Sequence, residues 1–311
     1  MVTRRRRVAV VAVVGVICAV AAGLAGYRAW FAVDDPESAR CTAPPVEVGA
    51  QRDAATDREL DVAFTCEGKK LAGTIYLPRE AGRHPGVVWV HGAGQAQRLG
   101  WGGQLVPGLV QAGVAVLSYD KRGVGQSEGD CCPGDDGHFN LLTADVEGAV
   151  SVLRGRPEVD PDKVGLAGAS QAGWIAPRAA DDTHAAFVAL ASCPTVPERI
   201  ANLYERLARG DEGKLSRDEI ARRLKEAKPS GFDPLPSLER MNMSGLWMFG
   251  STDDRTPVEE SVTVLDKLKA QGHDITVQVF PGAGHGLLDV PPTAPSAPST
   301  LINWIVGHVR R

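Results

Sequence analysis

The chain has 311 residues, 43% of them hydrophobic and 23% charged, which is the balance of a globular protein long enough to bury one large α/β core. Its formal net charge is −4, and setting aside Arg4, Arg5, Arg6 and Arg7 leaves −8 with no later basic patch. That charge argues against a nucleic-acid partner.

After the four arginines, Val8 to Tyr27 carries no charge over twenty residues, enough for a helix to cross a bilayer. The basic flank predicts a single-pass anchor over 1–33 with the rest of the chain outside the cytoplasm. A signal peptide cleaved near Ala19, Ala21 or Ala25 is the competing reading, and gives a secreted protein. Residues 34–57 are rich in Ala, Pro and charge with no sustained period, and are expected to form a linker. In an oxidising compartment Cys41 and Cys66 are candidates for a bridge, as are Cys131 or Cys132 with Cys193; free buried thiols are the alternative, and no spacing suggests a metal site.

From residue 58 to 311 short apolar runs alternate with helical patterns. Leu60 to Cys66 and Leu71 to Leu77 read as a hairpin about Glu67-Gly68-Lys69. Gly86 to Val90, Val114 to Tyr119, Val164 to Ala167, Phe187 to Leu190, Leu246 to Phe249 and Ile275 to Phe280 read as strands, most of them of the buried kind. Helices are expected over Trp101 to Gln111, Phe139 to Arg154, Pro257 to Ala270 and Leu301 to Val309. This alternation predicts a mostly parallel sheet covered on both faces, with any ligand outside the carboxyl ends of the strands. Within 194–243 two further helices are expected, Val196 to Ala208 and Ser216 to Ala227, the second with Ser216 and Glu219 spaced as a capping box.

The residues just past the strands carry the chemistry. Val164 to Ala180 reads as strand, small-residue turn and helix, with Ser170 in the turn between Gly168, Ala169, Ala172 and Gly173. A serine presented free of steric hindrance beside a base is a usable nucleophile, and the N–H of Gln171 at the following helix start can face an oxyanion. After Val90, His91-Gly92-Ala93-Gly94 offers the N–H of Ala93 as a second donor, while His91 itself reads as structural. Asp120 to Gly129 is glycine-rich but lacks the Gly-Lys-Ser/Thr ending of a phosphate loop, so a turn pinned by Asp120 and Arg122 is expected. After Phe249, both Asp253 and Asp254 qualify as the carboxylate that orients an imidazole, and one of them can cap the helix near Pro257. Of the seven histidines, His285 in Pro281-Gly282-Ala283-Gly284-His285-Gly286 has least packing reason for its place.

Nucleophile, acid and base in that order, each just past a strand, resemble the α/β-hydrolase superfamily. YDKRGVGQS, GASQAGWIAP, FGSTDDRTP and PGAGHG are similar to segments of bacterial serine esterases and acyl-thioesterase-like enzymes around dienelactone hydrolase. The resemblance implies a catalytic Ser170, Asp253 and His285, with Asp253 preferred to Asp254 by its distance from the strand glycine and the following proline. It implies an oxyanion hole from the N–H groups of Ala93 and Gln171, an ester or thioester substrate, and no cofactor or metal. Ala172 departs from the family, which most often has Gly there. The resemblance further implies that 194–243 is a helical lid over the site, and the proline-rich run Pro291 to Pro298 is expected to wall the entrance or to serve as a stiff connector.

Rivals are weighed on the same residues. A dehalogenase or epoxide hydrolase needs a carboxylate at position 170, and a non-catalytic binder is expected to have lost a triad member. A prolyl-oligopeptidase-like peptidase usually carries a large N-terminal domain, for which no room exists before Leu60. An acyltransferase or lipid-modifying enzyme differs only in its acceptor and stays open.

Overall fold

A nine-stranded sheet in the order β1-β2-β3-β5-β4-β6-β7-β8-β9 organises the molecule. Its strands are β1 Val46–Asp53, β2 Asp57–Cys66, β3 Lys69–Pro78, β4 His84–Val90, β5 Ala115–Tyr119, β6 Val159–Ala169, β7 Phe187–Ala191, β8 Ser244–Gly250 and β9 Ile275–Phe280. This is a computed structural model, and it describes residues 39–310 except 55–56, 99, 101–102, 132–138 and 291–295. The apolar segment Val8 to Tyr27 lies outside the described residues. Among the described residues no helix is long and apolar enough to cross a membrane.

Strands β1 to β3 are antiparallel, β3 pairs antiparallel with β5, and every pairing from β5 through β4 to β9 is parallel. The hairpin falls where expected: Glu67 and Gly68 both take positive φ, 47° and 68°, the left-handed pair a two-residue loop needs. Strands β5, β7 and β8 are buried along almost their whole length because helices cover both faces, while the edge strand β9 is largely exposed. Side chains alternate between those faces. Val87, Trp89, Val116, Ala167, Ala189 and Met248 join the core beneath helices α1 (Leu105–Gln111) and α8 (Ala297–Val309). On the other side α2 (Phe139–Arg154) packs against α3 (Ala172–Thr183).

The linker expectation for 34–57 is corrected by β1, which pairs with β2 from Val46 to Asp53. All eight of its residues are exposed, Val46 and Val48 among them, so the short alternation of Val46, Val48 and Ala50 with Glu47 and Gly49 marks no buried face. Hydrogen bonding to β2 and ion pairs of Arg52 with Glu59 and Asp61 hold it instead. The bridge Cys41–Cys66 forms, with Cα atoms 5.5 Å apart. Cys193 does not pair: it is a free thiol, wholly buried at the end of β7. The first-helix expectation shortens to Leu105–Gln111, and Trp101 lies outside the described residues. The last helix starts earlier than expected, at Ala297, because Ser296 and Ser299 form a reciprocal cap with Pro298 in its first turn. Of the proline-rich run, 291–295 lie outside the described residues and Pro298 belongs to this helix.

The chain runs from β4 to β5 on one side of β4 and later returns to β6 on its other side. That reversal places the loops after β4 and β6 beside each other at the carboxyl edge, the position where open α/β sheets bind ligands.

Candidate active site

Ser170 sits between β6 and α3 with φ +56°, a left-handed conformation that costs a non-glycine residue free energy. The strain is held by its surroundings. Ser170 N donates to Ala191 O on β7 at 3.0 Å, and Gly173 N donates to Ser170 O at 2.9 Å. Two glycines make the turn possible by close approach: a Cβ at Gly173 would lie 2.3 Å from Pro194 O, and one at Gly168 would lie 2.7 Å from both Val90 O and Ala172 Cβ. The methyl of Ala172 is therefore accommodated because position 168 has none.

His285 lies on the loop after β9 and Asp253 on the loop after β8. These loops are joined edge to edge, Thr252 N donating to Ala283 O and Gly282 N to Ser251 Oγ, both at 2.9 Å. The result is a continuous line of contacts. His285 Nε2 is 3.0 Å from Ser170 Oγ, and Nδ1 is 3.0 Å from both carboxylate oxygens of Asp253. A carboxylate only accepts, so Nδ1 carries the proton and Nε2 is left to accept from the serine hydroxyl. Asp253 is 3% exposed, and its Oδ1 also takes the N–H groups of Arg255 and Thr256 at 2.8 Å. Asp253 thus orients the imidazole and closes the turn before the next helix, whereas the helix cap expected of one of the two aspartates is not made: the N-cap is Pro257, with no side-chain cap bond. Asp254 is exposed beside it.

A cavity of about 470 Å³ opens onto this line, and its walls include Ala93, Ser170, Asp254, Arg255, His285 and Asp289. Ala93 thus faces the same space as the Ser170 hydroxyl, and Gln171 stands at the N-terminus of α3, where the helix leaves amide hydrogens unpaired. His91 lies at the rim as a structural residue. Its Nε2–H donates to Tyr119 O at 2.6 Å, and burial pushes its pKa down to about 4, so the ring is neutral. Asp120 and Arg122 pin the following turn as expected: Asp120 accepts from the N–H groups of Arg98 and Gln126, and Arg122 pairs with buried Asp145. Among the described residues no group of three or more His, Cys, Asp and Glu side chains is placed to hold a metal ion.

The segment 194–243, expected as a helical lid, is helical as the spacing predicts. The segment forms α4 (Glu198–Arg209), α5 (Arg217–Glu226) and α6 (Leu235–Arg240), yet none of its residues lines the cavity at Ser170. It is anchored beside the site: Trp174 Nε1 donates to Val196 O, and Tyr204 Oη donates to Asp253 O at 2.7 Å. Ser216 does cap α5, accepting from Glu219 N at 3.2 Å.

Three supporting residues escaped the sequence reading. Ser192, with φ +52°, donates its hydroxyl to His285 O at 2.9 Å. Thr256 donates to Ser192 O at 2.9 Å, so the loops after β7, β8 and β9 are tied together. Lys121 is buried behind the His91-Gly94 loop. A serine, a threonine and a lysine in loops have no periodicity to mark them; only their contacts do.

Comparison with known proteins adds to this geometry. The profile of the prolyl oligopeptidase family matches residues 109–310. That match covers the α/β part of the chain, which is the part of such enzymes that carries the serine chemistry. "Thiohydrolase aneE" of Aspergillus aculeatus is 31% identical over 135 residues, covering 43% of this chain and 40% of that protein. "Polyketide transferase af380" of Aspergillus fumigatus is 32% identical over 139 residues, covering 43% and 44%. The matched part thus spans less than half the length of these curated relatives. Among solved structures, acetyl xylan esterase 1 from Thermoanaerobacterium sp. JW/SL YS485 superposes with a TM-score of 0.62 at 20% identity, over 86% of this chain and 88% of that one, a likeness of fold.

Proposed function

We propose, from the premise that this chain belongs to the prolyl oligopeptidase family within the α/β-hydrolase superfamily, that it is a serine hydrolase cleaving carboxylic esters, thioesters among them, through an acyl-enzyme. The observation that carries the reading is the line from Ser170 Oγ through His285 to Asp253, with 3.0 Å at each step.

Ser170 Oγ attacks the substrate carbonyl carbon while its proton passes to His285 Nε2. The carbonyl π electrons move to oxygen, and the N–H groups of Ala93 and Gln171 stabilise that oxyanion. Asp253 holds His285 in the tautomer that can accept and stabilises the imidazolium that forms. His285 then gives the proton to the leaving alcohol or thiol, water repeats the attack with His285 as base, and the acid is released. The esterase and thiohydrolase names among the relatives support this substrate class. The disulfide Cys41–Cys66 supports an extracytoplasmic location, because cytoplasmic thiols are kept reduced.

The likeness to a polyketide transferase favours one second reading, transfer of the acyl group to an alcohol. Product analysis with a p-nitrophenyl ester separates the two. A burst of one p-nitrophenol per active site followed by carboxylic acid supports hydrolysis. Ester of an added alcohol at millimolar concentration, formed in preference to acid in water, supports transfer. Absence of any serine-dependent turnover across short and medium acyl esters and thioesters contradicts both.

A further inference from the structure

We infer that Lys121 is a positioning residue that fixes and polarises the oxyanion hole from behind, acting through the Gly92–Ala93 peptide and the side chain of Gln171. This rests on the reading of Ser170 as nucleophile and adds to it a residue outside the triad.

Lys121 follows β5 and is 2% exposed, an uncommon place for an ammonium group. A buried cation persists only where acceptors replace its water. Three acceptors of Lys121 belong to the two segments that carry the candidate donors. Nζ donates to Gln171 Oε1 at 2.7 Å, to Gly94 O at 3.3 Å and to Gly92 O at 3.4 Å. The carbonyl of Gly92 and the N–H of Ala93 belong to one planar peptide unit. A positive charge at that carbonyl oxygen draws electron density toward itself and makes the Ala93 N–H more acidic and a stronger donor, the cooperative effect expected of chained hydrogen bonds in a low dielectric. It also fixes where the N–H points. The bond to Gln171 Oε1 ties the other donor residue, itself 2% exposed at the start of α3, to the same ammonium.

The position of Lys121 is fixed in turn. Its N–H donates to Ala96 O at 3.0 Å, its own carbonyl accepts from Val124 N at 2.9 Å, and Asp120 before it and Arg122 after it are both in ion pairs. The flanking charges thus pin the turn and leave Lys121 directed at the site loops.

The test uses the full chain, with rates normalised to active sites titrated by a fluorophosphonate, so that misfolded protein does not count. In Lys121→Met we expect kcat per titrated site to fall about 10- to 100-fold, less than the 10²- to 10³-fold that losing a whole donor costs. KM stays within about threefold, because the charge acts on the oxyanion and not on the ground-state carbonyl. The Ki of an aryl trifluoromethyl ketone, whose hemiketal oxygen occupies the oxyanion position, rises by the same factor as kcat/KM falls. A merely structural lysine changes the titrated fraction and leaves all three constants per site as they were, and that result overturns the inference. Gln171→Leu keeps the backbone N–H and removes the shortest contact, so the inference holds without the first variant: kcat falling at least about threefold at constant KM supports it, and an unchanged kcat overturns it. A wild type that no fluorophosphonate labels is a failure of the nucleophile reading itself, distinguishable because it appears before any variant is made.

Discussion

The parallel half of the sheet, β4 to β9, and the antiparallel flank, β1 to β3, are held together by different means. Strands β5, β7 and nearly all of β8 are buried, and the loops at the carboxyl ends of β6, β8 and β9 carry Ser170, Asp253 and His285 respectively. In the flank, β1 is exposed throughout, β2 alternates and β3 is buried over its last six residues, so a disulfide and several ion pairs add to the apolar burial of residues such as Phe64, Leu71 and Ile75 and hold β1, which has no such burial. Chemistry is therefore placed where packing leaves the backbone least freedom. The flank tolerates change to the extent that its local fastenings are kept.

Changes that attack the difference at its strongest point have the largest effect. Gly173→Val puts side-chain carbon against Pro194 O in a turn without slack. We expect little folded protein and no labelled serine, read by expression and fluorophosphonate gel; a folded, active variant would mean that the turn is looser than described. Arg122→Met comes next. It removes the partner of wholly buried Asp145, whose pKa burial has already pushed up to about 6, and a donor to Cys66 O at 3.3 Å that joins the two regions. A loss of about 3–5 kcal/mol in urea unfolding is expected. Cys41→Ser with Cys66→Ser should cost about 3.5 kcal/mol, the value for a loop of this length, while kcat stays within twofold if the flank only fastens.

Two smaller effects sharpen the contrast. Glu147 on α2 is 2% exposed, and its Oε2 accepts the Cys41 N–H at 3.1 Å. Burial pushes its pKa from 4.5 up to about 7. The folded state binds this proton more tightly than the unfolded one, so its stabilisation is full below pH 4.5 and is lost as pH rises through 7. Glu147→Gln keeps the acceptor without the charge. Its melting temperature should exceed that of the wild type by about 3 °C or more at pH 8.5, with the gap closing toward pH 4; a gap independent of pH contradicts the assignment. Arg52→Ala, on exposed β1, should cost under about 1 kcal/mol despite its two ion pairs.

The same contrast governs what was legible in the sequence. Parallel strands buried on both faces read as apolar runs, so Phe187–Ala191 stands where the sequence puts it, and the helical spacing of apolar residues places α2 over Phe139–Arg154. Ser170, Asp253 and His285 were legible because small residues and strand ends surround them. Strand β1 was not, since it buries no face, its alternation stops at Ala50 before Gln51-Arg52-Asp53, and its pairing with β2 is a backbone matter. The side placement of α4 to α6 escaped for another reason: amphipathic spacing says that a helix buries one face, not against what. Phe232 meeting Phe139, with ring centroids 5.0 Å apart, settles that in three dimensions only.

The most direct test of the central claim is to label the intact protein with a fluorophosphonate and locate the adduct by peptide mass spectrometry, in the wild type, Ser170→Ala and His285→Ala. The account predicts one adduct, on Ser170, absent in the first variant and slowed at least about 10³-fold in the second. An adduct on another serine, or labelling of Ser170 at an unchanged rate without His285, would contradict it.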